Sequence, residues 1–352
     1  MSYENGWAAL NLEKPKRIPR TEYSAEMHWD LLKAVTGIDV GVSSPEEDKH
    51  RAASAFMQVW QYDFFWSTLI DEHEFGELAT DMGHAEYAAG GFDRRDAVAS
   101  PYTDPEQVLN FDFYAALGTK NKGELTRRFE EHYRQNCQAH PDGVNMTGVY
   151  ETLVSAFIQL FGWEMLLTAA GTDLKRFGDL ANRYATWVQQ YFDALAESDV
   201  PVVMVHDDIV WSAGPVFRPA WYRQYVFPNY RRFITPLLDA GKKVLFCSDG
   251  NFTVFIDDIA TAGFHGFVFE PLTSLEVMVQ KYGQTHVLVG NADTGILLRG
   301  SKAQIRAEVE RCISLGRDCP GYFLAVGNHI PPNTPVENAL YYNQVYEELG
   351  WR

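Results

Sequence analysis

From residue 200 onward the chain repeats one pattern: a short apolar run, a polar end, then a helical stretch. Residues 200–205 run into His206-Asp207-Asp208, 243–246 into Cys247-Ser248-Asp249-Gly250, and 266–269 into Glu270-Pro271. Residues 286–289 run into Gly290-Asn291-Ala292-Asp293, and 322–326 into Gly327-Asn328-His329. Apolar runs of this length, bounded by turn residues and alternating with helices, are the pattern of buried parallel strands. Five such strands, ending in residues able to do chemistry, predict an α/β protein with the (β/α)8 TIM-barrel fold. In that fold the reactive groups sit at the carboxyl ends of the strands.

The pattern upstream is less regular. Residues 1–55 read as an N-terminal extension packing on the barrel, with a helix over 24–36. Residues 56–66 are aromatic and apolar and read as an early strand. Residues 67–110 are rich in Gly and Asp and are expected to fold over the barrel mouth, with a helix start at Asp104-Pro105-Glu106. A charged, exposed helix is expected over 120–140 and a strand plus turn over 144–151. Further helices are expected over 153–170, 173–198, 219–240, 303–315 and 335–349. The aromatics from Trp221 to Phe233 fit one buried face of a single helix.

Composition narrows this picture. A chain of 352 residues accommodates one barrel of about 250 residues plus decoration, so a single domain is expected. A net charge of -17 disfavours nucleic acid and anionic membrane surfaces, which both call for basic patches. The four cysteines show no paired spacing, so neither a disulfide framework nor a zinc ribbon is expected. No apolar signal segment opens the chain and no run is long enough to span a bilayer. The expectation is a cytoplasmic protein with reduced thiols; a homodimer is a candidate assembly.

The strand ends supply the candidate chemistry. His206 titrates near neutrality and suits protonation of a leaving atom, or it is a histidine bonded to a neighbouring loop. Asp207 and Asp208 are adjacent, so in a strand they face opposite ways and at most one points into the mouth. Asp207 is taken as the catalytic candidate, together with His206, which is alternatively a ligand, and Glu270, which is either an exposed loop carboxylate or a ligand or base. Cys247 is either a small buried hydrophobe or a metal ligand. Tyr150 and Glu151 end an earlier strand and are candidates for the substrate side. Asn291 and Asp293 either fix loops or, for Asn291, contact substrate.

Four segments in order resemble the uroporphyrinogen decarboxylase superfamily. They are Asp207-Asp208…Gly214-Pro215…Arg218-Pro219, Phe246-Cys247-Ser248-Asp249-Gly250-Asn251-Phe252, Gly290-Asn291-Ala292-Asp293…Leu297-Leu298-Arg299-Gly300, and the closing run from Gly327-Asn328-His329 to Glu337-Asn338. Lys16-Arg17-Ile18-Pro19-Arg20 and Thr36-Gly37 resemble the methyltransferase-like members. The decarboxylases are similar to one another in an arginine-bearing N-terminal element that grips substrate carboxylates. Here that place reads Tyr23-Ser24-Ala25-Glu26-Met27-His28, without arginine; Tyr23 is a candidate substrate contact. Thiol methyltransferases of the superfamily bind zinc through a His-x-Cys pair and a later Cys. The matching positions are Cys247, Asp249 and Asn328, with His329 adjacent. The resemblance therefore implies zinc at Cys247, Asp249 and His329, with Asn328 and Asn291 beside the substrate.

The function implied is a corrinoid-dependent methyltransferase. It would move a methyl group from a small ether or methylamine-type donor to cobalt on a separate corrinoid protein, with a metal or a proton donor activating the leaving group. The alternatives are a cofactor-free decarboxylase and a barrel that binds a corrinoid or tetrapyrrole without turnover.

Overall fold

The computed structural model describes residues 2–80 and 100–352. Six parallel strands run in the order β3 (Thr147–Val149), β4 (Val202–His206), β7 (Lys243–Ser248), β8 (Gly266–Phe269), β9 (Val287–Val289) and β10 (Tyr322–Phe323). β1 (Phe64–Phe65) pairs in parallel with β2 (Val144–Asn145), which leads through Met146 into β3. A small antiparallel ribbon, β5 (Val210–Trp211) and β6 (Gly214–Pro215), follows β4. The five strands expected after residue 200 are thus neighbours in one parallel sheet. Register pairs His206 with Cys247 and Ser248 with Phe269, which brings their polar ends level.

The N-terminal segment does more than decorate. Residues 19–21 fill the gap between β10 and β1. Thr21 N–H donates to the Leu324 carbonyl at 3.1 Å, Leu324 N–H to Pro19 at 2.9 Å, and Asp63 N–H to Arg20 at 2.8 Å. This closes an eight-stave barrel and removes both sheet edges. The seam is polar and buried. Arg20 pairs with Glu22 at 2.9 Å, and both side chains are inaccessible to solvent. The Arg20 guanidinium lies 4.3 Å from the Trp60 ring and 4.9 Å from that of Tyr346. Glu22 also accepts the Val326 N–H at 2.8 Å and the Tyr342 hydroxyl at 2.9 Å. Arg17 is held by Asp63 at 3.1 Å.

The strand pleat sorts the core into two layers. Val202, Met204, Leu245, Val268 and Val289 face the barrel interior. Val203, Val205, Phe246, Phe267 and Leu288 face the helices. The helix Tyr3–Leu10 packs Ala9 and Leu10 on the interior cluster where the strands begin. Gly6 is required there, because a Cβ would fall 2.2 Å from the Asp63 carbonyl oxygen.

Several elements differ from the sequence reading for identifiable reasons. Helix Glu46–Val59 takes in Phe56, leaving only Phe64–Phe65 as strand. The helix expected from residue 24 starts at Trp29, because the His28 ring caps it by accepting the Leu31 N–H. The stretch 219–240 forms two helices, Pro219–Tyr225 and Phe227–Asp239, since Pro228 has no N–H to continue the first. Residues 81–99, expected near the mouth, lie outside the described residues. Helix Val154–Thr172 has the length and composition to cross a membrane, but 72% of its apolar window is buried in the protein.

The seam makes a testable demand. Glu22→Ala leaves the Arg20 charge buried without its partner, which costs about 3–5 kcal/mol. Urea unfolding should show that loss, whereas Glu46→Ala, on an exposed pair, should change stability by under about 1 kcal/mol. Equal midpoints for the two variants would refute the closed seam.

Candidate active site

The carboxyl ends of β4, β7 and β8 form one acidic, aromatic mouth. Counting by two from the interior residue Met204 brings His206 and Asp208 inward, and counting from Leu245 brings in Cys247 and Asp249. The His206 ring stacks on Tyr150 at 4.0 Å, and its Nε2 lies 3.5 Å from Asp208 Oδ1. Asp208 Oδ1 also accepts the Asp249 N–H at 2.8 Å. Asn328 donates to Asp249 Oδ2 at 3.0 Å and also hydrogen-bonds Glu270. Glu270 accepts the Gly250 N–H at 2.5 Å. Gly250 allows that turn with φ +80, where a Cβ would lie 2.8 Å from the Trp211 carbonyl oxygen. Tyr23 hydrogen-bonds the Cys247 thiol, packs on Trp66 at 5.5 Å and meets the His329 ring at 6.0 Å.

Burial dominates the electrostatics. It pushes the Glu270 carboxyl up, with the Asp208 charge adding to the effect. It also pushes up the Cys247 thiol, reinforced by Asp249 and Asp208, so this sulfur is held protonated. The Tyr23 and Tyr150 phenols are raised well above their ordinary value by burial and by the same carboxylates. The mouth therefore presents neutral hydroxyls and a readily protonated carboxyl. The strand-end segments 206–208, 247–251, 270 and 327–329 contain no Lys or Arg.

Asp207 is not part of this mouth. Its side chain faces the helix layer, where Oδ1 accepts the Ser155 N–H at 2.7 Å and Oδ2 the Tyr230 hydroxyl at 2.5 Å. Asp208 is the aspartate that faces inward, and the same alternation applied to His206 identifies it. Asn291 is also turned away: it donates to the Thr273 carbonyl at 3.0 Å and accepts from Arg311 at 3.1 Å. Asp293 caps the helix Thr294–Arg299. Glu151 is buried beside the start of helix Val154–Thr172, its carbonyl accepting from Tyr184 at 2.7 Å. Sequence reasoning missed Trp66, which no motif marks.

The expected zinc ligands do not converge. Among the described residues, the group of His, Cys, Asp and Glu donors within 4.8 Å of one another is Asp71, Glu72 and His73. Cys247, Asp249 and His329 do not form such a group. As arranged, Cys247, Asp249 and His329 do not fit a preformed tetrahedral zinc site. The stretch Asp71-Glu72-His73-Glu74-Phe75-Gly76 does have the Asp-x-His-x-x-Gly spacing of corrinoid-binding segments, so the expectation of a corrinoid on a separate protein cannot rest on the absence of that spacing. Here Asp71 caps the 3-10 helix Glu72–Leu78 and contacts His73 Nδ1 at 2.9 Å.

Comparison with known proteins bears on this geometry. The family model of uroporphyrinogen decarboxylase (URO-D) matches residues 127–348. The uroporphyrinogen decarboxylase of Syntrophotalea carbinolica is 31% identical over 151 residues, covering 43% of this chain and 42% of the relative. That of a Thermus thermophilus strain is 31% identical over 161 residues, covering 46% and 45%. The matched stretch thus spans under half the length of these relatives. A solved methyltransferase from Methanosarcina mazei superposes over 97% of this chain and 96% of its own, with a TM-score of 0.66 at 18% identity, and so shares the fold.

The placement of Asp207 predicts a pH effect on stability. Burial pushes its carboxyl up to about 7, above the unfolded value of about 4. The folded state therefore binds more protons. Stability from this group is fully present below the unfolded value and is lost as pH rises through about 7. Asp207→Asn should flatten that part of the curve of Tm against pH. An unaltered curve would contradict the helix-facing placement.

Proposed function

The chain belongs to the uroporphyrinogen decarboxylase family, and from that premise we propose that it is a methyltransferase rather than a decarboxylase. It takes a methyl group from a small ether or methylamine-type donor, and a corrinoid on a separate protein accepts it. One observation carries this reading. Among the described residues the mouth is lined by Asp208, Asp249 and Glu270, and Arg17 and Arg20, close to Tyr23 in sequence, are engaged by Asp63 and Glu22. A tetrapyrrole bearing many carboxylates requires cationic, preferably bidentate partners. Such a substrate would meet repulsion from the Asp208 and Asp249 carboxylates.

A reduced corrinoid supplies the nucleophilic cobalt that receives the methyl group. The chain's own residues have a different task, which is to bind the donor and to neutralise the atom that loses the methyl. Glu270, which burial biases toward its protonated form, and His206, 3.5 Å from Asp208, are the candidate proton donors. Tyr23, Trp66 and Tyr150 supply flat apolar walls and hydroxyl donors for an aryl or amine group. Proton donation fits the donor arrangement better than a zinc ion held by Cys247, Asp249 and His329.

The reading separates from its alternatives by product. With a methyl donor and a reduced corrinoid protein, the expected product is methylated corrinoid. Release of carbon dioxide from uroporphyrinogen would favour the decarboxylase reading that the names of the sequence relatives supply. Tight corrinoid binding with neither product would favour a non-catalytic barrel.

Two variant measurements test the site. Asp208→Asn and Glu270→Gln should each lower the transfer rate by about 10²-fold or more, with little change in Tm. Wild-type rates in both would move the chemistry away from this mouth. Cys247→Ala should leave metal content and most activity unchanged. Stoichiometric zinc in the wild type that disappears together with activity in Cys247→Ala would reinstate the metal centre.

A further inference from the structure

Two cavities beside the mouth meet at Glu26. The inner one, of about 140 Å³, is walled by Tyr23 and Trp66 on the mouth side and by Tyr62, Asn136, His140 and Asn145 on the other. The outer one, of about 680 Å³, shares Glu26, Met57, Asn136 and His140 with it and extends to the exposed Met27, Glu46 and His50. The outer cavity opens toward the surface and the inner one reaches the Tyr23 side chain, whose hydroxyl bonds Cys247 in the mouth.

The inner cavity is polar in a specific way. The Tyr62 hydroxyl, Trp66 Nε1, Asn136 Nδ2 and Asn145 Oδ1 are all buried, and none has a hydrogen-bond partner among the described residues. A buried polar atom left unsatisfied costs about 1–3 kcal/mol. A cavity of this size lined by several such atoms has the room and the partners to hold ordered water. Glu26 lines both cavities, together with Met57, Asn136 and His140. The ionisable groups facing it are Glu22, Tyr23, Tyr62 and His140 from within, and Glu46, Lys49 and His50 from the solvent side. Glu22 is paired with Arg20, and Lys49 with Glu46 at 2.7 Å. The His140 ring is stacked on Phe65 at 4.3 Å.

We propose that the two cavities form a proton route from solvent to the mouth, in which Glu26 is the carrying group and the Tyr23 hydroxyl hands the proton on. The proposal rests on the preceding reading only in requiring a reaction that consumes a proton. As the methyl carbon passes to cobalt, the bond from carbon to the donor heteroatom breaks and its electron pair stays on the heteroatom. The heteroatom takes a proton from the mouth acid, and that acid is recharged through Glu26. Tyr23 accepts one proton as it releases another, so its own charge does not change. Burial supports the role by pushing the Glu26 carboxyl up to about 7.

The test compares wild type, Glu26→Gln and Glu26→Asp in methyl transfer to a reduced corrinoid protein. Glu26→Gln keeps the shape and hydrogen bonding but carries no proton. Its kcat should fall by about 10²-fold, the low end of what positioned proton transfer contributes, while KM for the donor and the rate of the first turnover hold. Wild-type kcat should decline as pH rises through neutrality, and that limb should vanish in Glu26→Gln. Glu26→Asp or an added small weak acid should restore part of the rate. Unchanged kcat in Glu26→Gln, or a loss confined to KM, overturns the route. Absence of transfer in the wild type would refute the functional reading instead. The route is then decided by infrared difference spectra of wild type minus Glu26→Gln. A carboxylic acid band that fades as pH rises through neutrality and exchanges quickly with deuterated solvent supports it. A carboxylate band at every pH overturns it.

Discussion

Closure of the barrel by residues 19–21 is the constraint on which the rest of the structure depends. Without it β10 and β1 would be open edges, each a row of unpaired backbone groups. The backbone bonds of this segment to Leu324 and Asp63 fix the direction in which the chain leaves the seam. The next residues, Tyr23 to His28, are thereby carried across the carboxyl ends of the strands. Tyr23 reaches Cys247, Ser24 reaches His329, and His28 caps the following helix. The buried Arg20–Glu22 pair holds the seam through Val326, Tyr342 and the aromatic faces around it. A buried ion pair is costly to desolvate and more costly to break, so its effect is to make one closed geometry far better than any slipped one.

A closed barrel also removes freedom from the pleat. Interior and exterior positions must alternate along every strand, so the residues that reach the mouth follow once the register is set. That geometry decides between the two adjacent aspartates: Asp208 joins His206, Asp249 and Glu270, while Asp207 is committed to Tyr230 and to the first turn of helix Val154–Thr172. The result is a site with carboxylates and phenols but, in its strand-end segments, no fixed cation. This chemistry departs from what a polycarboxylate substrate needs, although the chain belongs to the decarboxylase family. Fold and family membership leave the reaction open, and the charge of the mouth narrows it.

The later strands were legible because each is an apolar run with a polar end, and the spacing between them matches helices. The closing segment was not. Pro19-Arg20-Thr21 has no apolar alternation, because its buried neighbours are an ion pair and aromatic rings rather than aliphatic side chains. β1 has two residues, too few for any period to register. At the site, His206, Cys247, Asp249 and Glu270 were visible as strand ends. The choice of Asp207 over Asp208 failed because adjacency alone does not say which aspartate is in phase with the interior. The proposed zinc set was carried by a motif resemblance, and the arrangement of Ser24 and Asn328 around its members had no signal in the sequence. Glu26 lay in a segment singled out for lacking arginine and for Tyr23, not for its own carboxyl.

The central claim is that this acidic mouth transfers a methyl group and protonates what is left behind. It is tested most directly in a single turnover, mixing enzyme, methyl donor and a reduced corrinoid protein in weakly buffered indicator solution. Methylation of the corrinoid and uptake of protons are then recorded together. The account predicts that methylated corrinoid forms and that a proton is taken up for each methyl group moved. Methylation without proton uptake would contradict the proton-donor role of the mouth, and no methylation at all would contradict the function.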